Sequence, residues 1–409
     1  MRGPCDRREA GYTLAHVGGT EQQARRYHRW QLALSLTDVA VTVAVLGAWL
    51  ETGAARTLAR ILDARLDRPE LVVLAMAVAV AGSSAAATAP LDVVGGFVLP
   101  RRAGLLTQSF GAWLLDRAKM LAIGGALGLV IVESGYALLR WSPAWWWLWS
   151  AAGLVLVGIV LAAILPVWLV PLFYRVTPLE DAHLRGRLLA LARRMGVSVA
   201  EVAVADFSRK GRTANAAVVG LGRTRRILVS DTLLARFPPP EVEVVLAHEL
   251  AHHARWHLGQ GLAVQGLVMV ASLWLLSRVL AAGTGWLGLA GAADPAGLPF
   301  VALAATVLGL LATPVLAAWS RRLEREADQV ALEITRDPTA FVGAMERLAD
   351  LNLAERRPGR IKEWLLATHP SIERRIRAAE RWAAAAGPSR PGAPPTDRTP
   401  VCPATGRSA

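Results

Sequence analysis

Six times along this 409-residue chain, about 20 residues pass with almost no charge. The blocks lie near Gln31–Leu50, Leu71–Leu99, Met120–Leu139, Leu148–Leu172, Leu258–Leu280 and Phe300–Trp319. A helix rises about 1.5 Å per residue, so each block is long enough to cross a hydrocarbon core of roughly 30 Å. The sequence therefore predicts a mainly α fold, a polytopic membrane bundle of about six spans. Apolar residues make up 54% of the chain and the mean hydropathy is +0.36, both high for a soluble protein.

Charge sits at the block margins. Glu133 is an exception, inside the third block. A carboxylate in lipid is costly, so it is expected near a helix end or against a neighbouring helix. Trp141, Trp145, Trp146, Trp147 and Trp149 flank the fourth block and read as an interfacial aromatic belt. The net charge is +13, and only Lys119, Lys210 and Lys362 are lysines, so nearly all the bases are arginine. They cluster at block ends, as cytoplasmic loops require. No basic patch with interleaved aromatics points to nucleic acid.

Arginine counts place both termini and both long polar segments on the cytoplasmic side. The first loop dissents with Arg56, Arg60, Arg65 and Arg68, but four acids there cancel them. About 30 polar residues precede the first block, too many for the n-region of a cleavable signal, so that span should remain as an anchor. Cys5 and Cys402 are the two cysteines, too few for a Cys-based zinc site and poorly placed for a structural disulfide.

Residues 1–30 form a polar N-terminal segment and 31–173 carry the first four spans. Residues 174–257 are polar, 258–319 carry the last two spans, and 320–386 read as helical. The Pro-rich tail 387–409 is expected to be disordered. Within 174–257, HLRGRLLALARRMGV predicts an amphipathic helix ending at Gly196. The runs EVAVADF, ANAAVVG and RRILVS read as strands. Pro238, Pro239 and Pro240 break the chain, and Glu241 opens a further helix.

That helix carries VVLAHELAHHARWH, half of the chain's eight histidines within fourteen residues. His248, Glu249 and His252 form H-E-x-x-H. Positions i and i+4 share one helical face, so both imidazoles can bind one ion. Glu249 lies beside them, placed to accept a proton from water at such a metal. A catalytic zinc usually takes three protein ligands. The longer pattern with a third histidine fails, because positions 255 and 258 are Arg255 and Leu258. His253 and His257 then read as interfacial side chains. A carboxylate is the other option, from SRRLEREADQVALEI after the sixth block. Glu324 and Asp328 share a helical face, and a hairpin of the last two spans returns them to the membrane face of His252. Spacing alone does not choose among Glu324, Glu326 and Asp328.

Together these segments resemble the integral-membrane zinc metalloproteases that include type I CAAX prenyl endopeptidases and HtpX-type proteases. The likeness runs from Leu99 to Ile376 through PLFYRVTPL, SRKGRTANAAVVGLGRTRRILVSDTLL, HELAHH, SRRLEREAD and THPSIERRI, in that order. The resemblance implies a zincin-like α+β metalloprotease domain at the cytoplasmic membrane face and one Zn²⁺ per chain. It implies His248, His252 and Glu324 as ligands, Glu249 as base, and Asp328 as the group bonded to a ligand histidine. It points to Asn215 and His369 for binding the scissile peptide and its oxyanion. The implied activity is cleavage of membrane-associated or prenylated CaaX-type substrates; general membrane-protein quality control is the alternative within proteolysis. The implied partners are membrane lipid and a peptide or protein substrate, possibly lipidated, with no nucleic acid and the oligomeric state open. A sensor-transducer would need an outer ligand domain, for which no polar segment is long enough. A vestigial scaffold would not be expected to keep every catalytic position. The chain departs from the prenyl endopeptidases at Ala217, Val218, Val219 and His253, where they carry bulky aromatics, and in its six counted spans against their seven.

Overall fold

The computed structural model describes residues 15–164, 168, 170–220 and 222–386. The tail predicted to be disordered, and both cysteines, lie outside those residues. The membrane part opens with α1 (Ala15–Glu51), a short amphipathic α2 (Ala54–Asp63) and α3 (Pro69–Val93). A π turn over Val94–Val98 joins α3 to α4 (Leu99–Arg102). Then come α5 (Phe110–Trp141), begun by the Ser109 hydroxyl accepting from the Ala112 amide, α6 (Trp146–Ile164) and α7 (Val170–Phe173).

Each predicted apolar block is helical over its described residues. Among the described residues, Glu21–Glu51, Pro69–Arg102, Phe110–Trp141, His257–Trp286 and Pro295–Thr335 are long and apolar enough to cross a membrane, while Trp146–Ala162 is apolar but shorter. Leu121, Val130, Leu156, Leu267 and Leu311 are 61–72% exposed, a cost in water that lipid removes. The inward faces close over Val73, Tyr136, Leu276 and Leu280. Glu133 lies 3.5 Å from Arg140, which lies 3.5 Å from Glu70 as well, so the carboxylate does face a partner. Trp141, Trp145 and Trp149 are exposed as a belt requires, but Trp146 packs into the bundle core instead.

The polar region 174–257 builds a small α+β unit. β1 (Val176–Pro178), which the sequence reading missed, has no alternating pattern to reveal it. α8 (Ala182–Arg194) starts where Asp181 caps the Leu184 amide, and Gly196, at φ 68°, turns the chain out. β2 (Glu201–Ala205), β3 (Ala216–Val219) and β4 (Arg226–Ser230) fall within the predicted runs. The sheet order is β1-β2-β4-β3, with β2 parallel to β4 and the outer pairs antiparallel, so β3 is an edge strand. α9 (Asp231–Arg236) leads to α10 (Pro239–Ala254), which carries the histidines.

After α10 the chain enters the hairpin of α11 (His257–Trp286) and α12 (Leu298–Thr335). α12 leaves the apolar span and continues unbroken through Glu324 and Asp328. α13 (Pro338–Leu351), α14 (Arg360–Leu366) and α15 (Ile372–Ala386) complete the half that carries the histidines. Its core joins Leu188, Ile227, Leu246, Leu250 and Phe341, all 0% exposed. Burying each such side chain stabilises by about 1.5–3 kcal/mol. Leu246 and Leu250 lie four apart and anchor one face of α10, which fixes the helix rotation and thereby the direction of His248 and His252.

α1 also ties the two halves. It runs through residue 30 without a break and docks on the histidine-bearing half at Ala24 and His28. His28 Nε2 donates to the Leu353 carbonyl at 2.9 Å, while Ala24, Leu105 and Leu353 pack together.

Candidate active site

The motif alanines explain how the ligands meet. Ala251 of HELAHH and Ala327 of EREAD are both fully buried and pack together, letting α10 and α12 approach closely. Glu324, one turn before Ala327, then reaches the histidines. Its Oε2 lies 3.2 Å from His248 Nε2 and its Oε1 lies 3.4 Å from His252 Nε2. The two Nε2 atoms are 3.3 Å apart. One ligand atom from each of the three residues falls within 4.8 Å of the others. Glu326, the spacing competitor, points to Arg255 and His257 instead.

The donor set fits a metal ion. His248 gives its Nδ1 proton to Asp328 Oδ1 at 2.9 Å, which turns Nε2 toward Glu324 as the atom that a metal would take. Asp328 is clamped in turn by Arg375, whose Nε and Nη2 donate to its two oxygens at 2.8 and 2.5 Å. This bidentate pair is buried and oriented, the arrangement in which arginine exceeds lysine. Glu324 Oε2 is buried and has no hydrogen-bond partner. Nε2 of both rings and this carboxylate oxygen converge on one point that calls for positive charge, either a proton on His248 or a metal ion that displaces it. Two histidines and a carboxylate at these distances suit zinc, with a coordination position left open.

His257, expected at the membrane interface, is 3% exposed and its Nδ1 lies 3.0 Å from His252 Nδ1. Its Nε2 lies 3.5 Å from Glu326. His253 is half-buried and donates from Nε2 to the Val218 carbonyl at 2.9 Å, tying α10 to β3. Arg375 and His257 escaped the sequence reading as site residues. Arg375 stood inside the quoted THPSIERRI, whereas His257 was tested only as a ligand.

Electrostatics separate the groups. Burial pulls the His248 imidazole down, but Asp328 and Glu324 more than offset it and hold it at about 9. Burial, with the neighbouring His248, drops His252 to about 4, so it stands neutral and able to donate a lone pair. Burial pushes the Glu249 carboxyl up, and Glu324 adds to this against the pull of His248 and Arg375. That shift brings a carboxyl toward the range useful for proton transfer.

Glu249 borders two cavities. One, of about 690 Å³, runs between the membrane helices past Leu262, Leu316 and Ala317 and is also lined by Val218, Val219 and Gly220. The other, of about 520 Å³, holds Asn215, His248 and His369. β3 therefore passes from one cavity to the other beside Glu249. Asn215 is exposed, with its backbone held by Ser230 on both sides. His369 Nε2 lies 3.4 Å from Glu324 Oε1, and its Nδ1 lies 2.9 Å from the Thr368 hydroxyl. Six of the seven residues singled out from the sequence line these two cavities, which share Glu249, and Asp328 stands buried behind His248.

Residues 178–383 match the family model described as peptidase family M48. Residues 19–175 match one described as CAAX prenyl protease N-terminal, five membrane helices. The chain is 30% identical over 298 residues to a Bacillus subtilis protein named uncharacterized metalloprotease YhfN, covering 72% of this chain and 70% of that one. It is 31% identical over 170 residues to CAAX prenyl protease 1 of Saccharomyces cerevisiae, a match spanning 41% of this chain and only 38% of the yeast protein. The crystal structure of S. mikatae Ste24p shares its fold, at a TM-score of 0.79 and 21% identity, over 88% of this chain and 89% of that one.

Proposed function

Because this chain belongs to peptidase family M48 and is a membrane metalloendopeptidase, we propose that it uses one zinc ion to cut membrane-associated chains, prenylated CaaX-type proteins among them. The observation that carries this reading is the convergence of two imidazole nitrogens and the orphaned Glu324 oxygen beside Glu249 and the edge strand β3. The active site faces the cytoplasm in this reading, on the side given by the arginine-rich loops.

His248, His252 and Glu324 would hold the ion, which when bound supplies positive charge to acidify water and polarise the scissile carbonyl. Asp328 and Arg375 keep His248 in the tautomer that presents Nε2. His257 does the same for His252 by accepting its Nδ1 proton. An extended substrate pairs with the part of the outer β3 edge that His253 leaves open, and the Asn215 amide holds its backbone. Glu249 accepts a proton from the attacking water and passes it to the leaving nitrogen. Nε2 of His369 donates to the carbonyl oxygen as negative charge develops there, with the Thr368 hydroxyl fixing the ring from Nδ1.

The larger cavity is walled by membrane helices and has room for an apolar chain beside the cleavage point. Mass-spectrometric mapping with matched prenylated and unprenylated CaaX peptides, plus an unbiased peptide pool, tests the assignment. Cleavage confined to the prenylated peptide is the expected result. Cleavage across the pool would replace CaaX processing by general quality control.

A further inference from the structure

A third cavity, of about 530 Å³, lies away from the metal ligands between α1 and the π-turn end of α3. Its volume is within the range of about 300–1,000 Å³ usual for ligand sites. Gln23, Arg26, Tyr27, Trp30 and Leu34 of α1 line one wall, at spacings that keep them on one helical face. Val94, Val98, Leu99 and Arg102 line the opposing wall.

The two walls grade in the same direction. Toward the catalytic half they carry Arg26 and Arg102; toward the spans the α1 wall passes through Tyr27 and Trp30 to Leu34, and the other runs through Leu99 to Val98 and Val94. That order matches the section through a lipid leaflet, with charged headgroup, aromatic belt and then acyl chain. The seam is fixed by Gln31, whose amide donates to the Tyr27 hydroxyl at 2.9 Å and to the Gly95 carbonyl of the π turn at 3.2 Å. π turns often mark functional sites.

The arginines are unspent. Neither Arg26 nor Arg102 has an ion pair or hydrogen bond among the described residues, and no acidic residue lines the cavity. Their neighbours differ: Arg25 pairs with Glu21, and Arg101 bonds the Gln108 carbonyl and lies over Phe97. Two free planar forks at the mouth of an apolar slot suit a phosphodiester whose chains run into the membrane. A soluble anion would make no use of the apolar wall, and an uncharged prenyl chain would make none of the arginines.

We propose that this cavity binds an anionic phospholipid, with its phosphate held between Arg26 and Arg102 and its chains against Leu34, Val94 and Val98. The site lies where α1 docks on the catalytic half through His28 and Leu353, so the lipid would occupy the seam between the membrane and peptidase parts.

The test is native mass spectrometry of the delipidated full chain, titrated with phosphatidylglycerol and phosphatidylcholine of identical acyl chains. Two basic contacts near an anionic surface correspond to about a thirtyfold preference for phosphatidylglycerol. The double variant Arg26→Gln/Arg102→Gln should lose that preference and retain phosphatidylcholine as before. The control Arg60→Gln/Arg65→Gln, on the exposed face of α2 and beyond, should keep it. Equal retention of both lipids by the unaltered chain would overturn the proposal, as would an unchanged preference in the double variant. Displacement of the lipid by inorganic phosphate at matching concentration would also overturn it, by marking a soluble-anion site.

Discussion

Nδ1 of His257 lies 3.0 Å from Nδ1 of His252, so one imidazole must donate to the other. If His252 donates, its Nε2 is left as a lone pair directed at Glu324 and His248. His257 sits at the first residue of α11, just after Trp256 takes a left-handed conformation at φ 55°. The sharp turn between α10 and α11 is what brings the ring back over His252.

Replacing His257 should therefore act on metal retention. His257→Leu is expected to weaken metal affinity about 10–100-fold, the usual cost of removing a partner that orients a ligand. His257→Gln, which keeps an acceptor, should recover part of it. Release of metal to a competing chelator measures both. Unchanged release in His257→Leu would remove the orienting role.

Glu249→Gln is expected to keep full metal content while cleavage falls at least about 10²–10⁴-fold, the range that proton transfer supplies. Metal analysis and peptide turnover on the same preparation separate the two effects. Turnover equal to that of the unaltered enzyme would refute the base assignment.

Glu324→Ala should lose the metal outright. Asp328→Asn should keep the shape of the site and weaken binding about 10–100-fold, because its amide cannot receive both the His248 proton and the Arg375 fork in the same way. Stoichiometric metal in Glu324→Ala would move the third ligand elsewhere.

Arg375→Leu is expected to destabilise the catalytic half by up to about 3–5 kcal/mol, since buried Asp328 would lose its guanidinium and keep only His248. The double variant Arg375→Leu/Asp328→Leu should recover part of that loss, less the cost of leaving His248 Nδ1 without its acceptor. Denaturant unfolding of the metal-free forms reads the difference. A single variant as stable as the parent would show that Asp328 is compensated by other groups.

Much of the molecule was legible because its causes are local. Spans declare themselves by an unbroken apolar run, and H-E-x-x-H declares itself because i and i+4 share a face. Glu324 was not resolved from Glu326 and Asp328 by spacing, because the choice depends on how α12 rotates against α10. That rotation is set by the buried contact of Ala251 with Ala327. Arg375 was hidden for the same reason, lying 47 residues from Asp328 along the chain. His257 was considered only against the spacing of metal ligands, and a residue that holds a ligand obeys no such spacing. Trp146 was read from its neighbours as part of the belt, but its position at the start of α6 turns it inward.

α12 runs 38 residues without a break, from the apolar hairpin to the peptidase core, and carries Glu324 and Asp328 beyond its span. A helix turns about 100° per residue, so one inserted residue between Trp319 and Glu324 would swing the carboxylate away from both histidines. Four inserted residues would nearly restore the phase but displace it by about 6 Å along the axis. The span cannot be lengthened or shortened at that point to suit a thicker or thinner bilayer without losing the metal ligand. Adjustment to membrane thickness must occur at the far end of the hairpin, where an insertion leaves the angular setting of Glu324 untouched.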